Sequence, residues 1–204
     1  MNKKKIIISI LILLVLALAG GGFYFFKKPK NNNEKNISQL EELRKEKPDL
    51  APYIDEVEKG LNGLNKNDLQ TYSILGLGWK SFADQTKNPE DYKKALAIYE
   101  EAIELSKRKN TLFILNAGNM DVYIGDYKKA ESYFEEATAM APGDIDGYQR
   151  LINLHMYQLK SDKDTITAIF DRGIKRMVDP APLTKWKEAY LRNLEENAKS
   201  KESN

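Results

Sequence analysis

His155 is the chain's single histidine and there is no cysteine, so imidazole chemistry could start from one position only and thiolate or disulfide chemistry from none. No HExxH pair, no GxSxG elbow and no glycine-rich phosphate loop after a strand accompanies it. Gly20-Gly21-Gly22 and Gly76-x-Gly78 are too short and wrongly placed to cradle a phosphate. Glu100-Glu101 and Glu135-Glu136 occupy adjacent helical positions and point in different directions, which makes them solvated faces rather than paired acids. His155, within LINLHMYQL, reads as an ordinary helical histidine, and the sequence predicts no catalytic residue, metal site or cofactor. What remains is hydrogen bonding. Asn116, Asn119 and Tyr123 fall one turn apart on one stretch, and Arg150, Asn153 and Tyr157 repeat that spacing on another. A primary amide both donates and accepts, so it can pair with both backbone groups of one peptide residue whatever that residue's side chain. The alternative is that these polar groups only solvate a helix face.

The elements that must position these residues are helical. In TLFILNAGNMDVYIGDYKKAESYFEEATAMAPGD, Gly118, Ala130, Phe134, Ala137 and Pro142 are spaced as in two antiparallel helices joined at Gly125-Asp126. Pro142 lacks the N–H a continuing helix needs. Upstream, Tyr72, Leu75, Gly76 and Trp79 match the first-helix spacing, and Tyr92, Ala95, Tyr99 and Ala102 follow the order of Tyr127, Ala130, Phe134 and Ala137. KSFADQTKNPED between them predicts a first helix two turns longer, with Asn88 capping the next and Pro89 at its first position. Lys107 stands where the terminating proline is expected. Downstream, Tyr148, Leu151 and Ile152 open a third pair with SDKDT as its turn, and Phe170, Gly173 and Asp179-Pro180 echo the aromatic, the small residue and the stop.

The segment around Gly118 to Pro142 resembles a tetratricopeptide repeat. The resemblance implies an all-α solenoid of antiparallel helix pairs over 68–180, with repeats at about 69–109, 111–144 and 145–180. A single pair cannot bury its apolar face alone, so weaker neighbouring copies are expected. Such arrays bind extended peptides or helices in a groove lined by their first helices, which is where Asn116, Asn119, Tyr123, Arg150, Asn153 and Tyr157 would stand. One subtype grips a partner's terminal carboxylate. Asn116 and Arg150 fit that pattern, but Ser73, Leu77 and Asp146 occupy its other places, and an aspartate there repels a carboxylate.

Flanking segments complete the organisation. Leu183, Trp186, Tyr190 and Leu194 line one face of a capping helix over 182–198, with Lys185, Glu188, Arg192 and Glu195 on the other, and 199–204 reads as a disordered tail. Residues 37–67 read as a helical cap or stalk: Ser38 and Glu41 have capping-box spacing, Pro48 breaks the helix, and Ile54, Val57, Leu61 and Leu64 form a second stripe interrupted by Gly60 and Gly63.

At the start, MNKKK precedes a run without charge from Ile6 to Phe26. At about 1.5 Å per residue it spans roughly 30 Å, the thickness of a bilayer core. Two readings compete: a single transmembrane helix over 1–28, with Phe23-Tyr24-Phe25-Phe26 and Lys27, Lys28 and Lys30 at the interface, or a signal peptide cleaved behind Ala17-Leu18-Ala19. The anchored reading is preferred because the run continues past Gly20 to full spanning length. It places a single-pass protein in the cell membrane with its C-terminal domain outside the cytoplasm, beyond a polar tether over 29–36. Of 204 residues, 42% are apolar and 30% charged, enough for one helical core. The net charge of +2 is misleading, since six lysines fall within residues 1–30, leaving 26 basic against 30 acidic side chains, a balance of −4. That balance, without a basic run, gives no footprint for nucleic acid. The expected function is a membrane-anchored, non-catalytic scaffold that binds a protein or peptide partner; a cleaved, soluble adaptor and a self-associating envelope component are the alternatives.

Overall fold

The computed structural model describes the backbone of residues 32–202 and the side chains of residues 37–200. The transmembrane helix expected over 1–28 lies outside the described residues. Among those described, no helix is long and apolar enough to cross a membrane.

The chain divides into two compact units, Met1–Ala51 and Pro52–Asn204. The described part of the first is helix α1 (Asn32–Glu46), closed by a 3-10 turn at Pro48–Leu50. Helix α1 begins within the stretch read as a polar tether, and Ser38 lies inside it rather than at its cap. Once a helix is nucleated, each added residue gains a backbone bond at little further entropic cost, so the end extends beyond the capping box.

The second unit is all α, a stack of antiparallel helices. Helix α2 (Ala51–Gly63) buries Ile54, Val57, Gly60 and Leu61. Gly60 lies against Leu75, where an added Cβ would come within 2.9 Å of the Leu75 Cα. Three pairs follow: α3 (Leu69–Thr86) with α4 (Pro89–Leu105), α5 (Thr111–Ile124) with α6 (Tyr127–Met140), and α7 (Ile145–Asn153) with α8 (Lys163–Arg176). Helix α9 (Ala181–Glu202) closes the order.

Every helix of the three pairs starts on an Asp or Asn whose side chain accepts a backbone N–H of the first turn: Asp68, Asn88, Asn110, Asp126, Asp144 and Asp162. Pro89 follows Asn88 at the first helical position. Gly125, at φ +92°, ends α5 in the left-handed conformation and passes the chain directly to Asp126. Where a proline was expected after α4, Lys107 and Arg108 both turn left-handed, at φ 52° and 55°.

The first two pairs share one packing device. Gly118 faces Phe134, and Gly76 faces Tyr99, so each first helix lies against an aromatic ring of its second helix without a side chain between them. Ala130 and Ala137 are buried at the same crossing. In the third pair the equivalent of Gly76 and Gly118 is Ile152, which is fully buried. The first helix of this pair also changes pitch, continuing as a π turn over Leu154–Gln158. Gly173 meets Tyr148 and Leu183 instead, joining α8 to α7 and α9.

Three boundaries differ from expectation. Helix α3 exceeds α5 by one turn rather than two, because Lys87 turns left-handed at φ 55° and Asn88 restarts the chain. Of SDKDT, Lys163, Asp164 and Thr165 already belong to α8, since Asp162 caps it through both Thr165 N and Thr165 Oγ1. Helix α9 runs on through Lys199 to Glu202, where a disordered tail was expected; this stretch contains no Gly or Pro, and Lys and Glu tolerate helical backbone well. Leu183 and Tyr190 are buried, and Lys185, Glu188, Arg192 and Glu195 are exposed.

Candidate partner-binding groove

The first helices α3, α5 and α7 present equivalent positions one turn apart, each exposed or half-buried. In register these are Gln70, Ile74, Leu77 and Ser81 on α3, Leu112, Asn116, Asn119 and Tyr123 on α5, and Asp146, Arg150, Asn153 and Tyr157 along α7 and its π turn. They remain accessible because the apolar residues between them, such as Leu75, Trp79, Ala117 and Leu151, are turned into the core.

Four of the six expected groove residues come together. Asn119, Arg150, Asn153 and Tyr157 line one cleft of about 180 Å³, whose walls are completed by Val122, Phe134, Leu154 and Gln158. The Arg150 Nη1 donates to Asn119 Oδ1 at 2.8 Å, tying α5 to α7. That bond takes one of the two lone pairs of the Asn119 oxygen and orients the amide, so the NH₂ and one lone pair remain for a peptide. Arg150 Nε is shielded from solvent and has no partner within the described fold. Tyr157 is 63% exposed.

The other two stand apart. Tyr123 stacks on Tyr92, centroids 4.8 Å apart and planes 17° from parallel, and the Lys80 ammonium lies 5.8 Å from its centroid. Tyr92 is held from the opposite side by its hydroxyl, which donates to Asp84 at 3.0 Å; burial and that carboxylate push its pKa up to about 12. Asn116 is half-buried on α5 and stays off the walls of the cleft.

Sequence reasoning missed the π turn, which has a recognisable cause. Leu159 N bonds Leu154 O and Ser161 N bonds His155 O, so the chain spends an extra residue within the turn. The His155 side chain secures it from the opposite side: Nδ1 lies 2.8 Å from Ser161 Oγ and Nε2 lies 3.2 Å from Glu131 Oε1. With the proton on Nε2, Ser161 donates to the ring and the ring donates to Glu131, and every polar atom is matched. These two contacts tie the π turn to α6, since Ser161 follows the turn and Glu131 stands on that helix.

A second feature was legible only from the register. Trp79, Asp121 and His155 hold the same place in the three first helices, so two titratable groups occupy a position filled by a large aromatic in the first pair. Asp121 is 1% exposed and its Oδ2 has no partner. Burial, opposed by Lys129 and aided by Asp126 and Glu100, raises its pKa to about 6. Nearby, burial and Glu100 raise the Tyr133 hydroxyl, which donates to Glu100 at 3.1 Å.

Residues 114–144 match the family profile of the tetratricopeptide repeat, which covers the second pair. No curated protein matches the chain. Among solved structures, two crystal structures of MamA are similar at 20% identity, with TM-scores of 0.48 each. The first covers 69% of this chain and 78% of its own, the second 71% and 75%.

Proposed function

We propose that this chain is a non-catalytic scaffold that recruits a protein partner, gripping a peptide segment of it along the exposed faces of α3, α5 and α7. The observation that carries this reading is the convergence of Asn119, Arg150, Asn153 and Tyr157 on one open cleft within stacked helix pairs, one of which matches a repeat associated with protein binding. Photocrosslinkers placed at Tyr157 and, as a control, at Lys128 on α6 test it in native membranes. Capture of the same partner from Tyr157 and not from Lys128 supports the groove, whereas capture from Lys128 alone moves the contact to the second-helix side.

The scaffold is held at a membrane by residues 1–28 in this proposal, with the helical domain outside the cytoplasm. Support comes from the run without charge from Ile6 to Phe26 and the lysines that flank it. The competing reading, a soluble adaptor released by cleavage after Ala19, is separated by the N-terminus of the mature protein.

A further inference from the structure

The groove is not uniform along its length, and its two ends differ in kind. On α3 the two central positions, between Gln70 and Ser81, are aliphatic: Ile74 is 47% exposed and Leu77 53%, and Leu112 at the start of α5 is 51% exposed. These stand in the same register as Asn116, Asn119 and Asp146, so the face changes from apolar to polar from the first pair to the third. At the polar end stands a cation that has no ion pair among the described residues. Arg108 is paired with Glu104 and Glu136, and Arg172 with Glu135, whereas Arg150 donates to the neutral amide of Asn119. Asp146, one turn earlier on α7, makes no ion pair with it among the described residues. The half-buried guanidinium of Arg150 lines the open cleft, and its charge favours a carboxylate there.

We infer that the groove selects a peptide carrying aliphatic side chains at one end and an internal Asp or Glu at the other, the aliphatic groups on Ile74, Leu77 and Leu112 and the carboxylate on Arg150. This rests on the groove reading above and adds the ligand's chemistry and spacing. The two ends are two first helices apart, and an extended peptide advances about 3.3 Å per residue, so several residues separate the two contacts. The cleft at Arg150 is open and is also lined by Asn153, Tyr157 and Gln158, which leaves room for chain on either side of a residue carrying the carboxylate as a side chain.

The test is selection of displayed dodecapeptides on the full chain, solubilised in detergent and immobilised, in parent, Arg150→Glu and Leu77→Asn forms, each checked for retained helix content by circular dichroism. The parent should enrich aliphatic residues several positions from an acidic one, and Arg150→Glu should switch the enriched acid to Lys or Arg. Leu77→Asn should lose the aliphatic preference while keeping the acidic one. For the leading parent peptide, Glu→Gln or Asp→Asn should weaken binding about tenfold or more, as expected for losing a charged hydrogen-bonding pair. An enriched charge that does not change with Arg150→Glu overturns the inference. If such peptides still block crosslinking from Tyr157, the groove reading survives without this chemistry; peptides that never compete with that crosslink defeat both.

Discussion

A Cβ added to Gly118 would lie 2.5 Å from Cε1 of Phe134, closer than real Cβ contacts come, so the second helix pair owes its separation to the absence of that atom. The ring is 1% exposed and flanked by Ala130 and Ala137.

Gly118→Leu should therefore destabilise the domain more than Gly118→Ala, and Ala130→Leu or Ala137→Leu should cost about 1–3 kcal/mol each through overpacking. Pairing Gly118→Ala with Phe134→Leu should recover part of the loss, since the smaller side chain vacates the contested space. Urea denaturation of the four single variants and the double variant checks this; parent-like midpoints throughout would mean that the crossing is not at these residues.

Asp121 links stability to pH. Its folded pKa of about 6 lies above the ordinary 3.8, so the native state holds the proton more tightly than the unfolded chain does. The stabilisation associated with that proton is complete below about pH 4 and is lost as pH rises through about 6. Asp121→Asn should be more stable than the parent at pH 7.5, by on the order of 1–3 kcal/mol, and should lose the advantage toward pH 4. Denaturation of both proteins at pH 4.5, 6 and 7.5 measures the difference; a constant offset would contradict the assignment.

The left-handed pair Lys107-Arg108 replaces a proline stop, and such backbone costs an ordinary residue about 1–2 kcal/mol. Lys107→Gly should stabilise the domain by up to about 1 kcal/mol, and Lys107→Val should destabilise it. Arg108→Ala removes the links to Glu104 and Glu136, but these side chains are partly exposed, so the loss should stay within about 1 kcal/mol. Thermal melts at low and high salt separate the two effects, because only the ion pairs weaken with salt.

Replacing Leu13 and Leu14 with arginine tests the proposed anchor, since each charge costs about 2.5–3.5 kcal/mol at the centre of a membrane helix. The variant should leave the carbonate-resistant membrane fraction or fail to accumulate. Unchanged retention would place membrane attachment elsewhere.

The fold was legible where one residue type answers one physical demand. Gly118 and Gly76 mark close crossings, Asn88-Pro89 marks a helix start, and Gly125-Asp126 marks a turn, and each is a local requirement that few other residues satisfy. The extent of α1 and α9 was harder to read, because sequences such as NNEKN and KSKE tolerate helix without demanding it. The site was half legible. Spacing located Asn119, Arg150, Asn153 and Tyr157, but a sequence does not show that Arg150 occupies the Asn119 carbonyl, or that Tyr123 prefers the ring of Tyr92 to open solvent. The π turn was invisible because nothing in LHMYQ forbids an ordinary helix, and the tie from His155 to Glu131 and Ser161 exists only after folding.

Ile152, standing where the first two pairs have a glycine, moves the notch of the third pair to its second helix. A ring seated in a glycine notch must leave it before α3 parts from α4 or α5 from α6, and between α7 and α8 the notch is Gly173 and the ring is that of Tyr148. Because Gly173 also receives Leu183, α7 and α9 are seated on one residue of α8, and amide exchange will report their release as one event around Gly173. The groove wall formed by α7 is thereby tied to the closing helix. A bound partner that bridges Asn119 and Arg150 would slow exchange beyond the residues it touches.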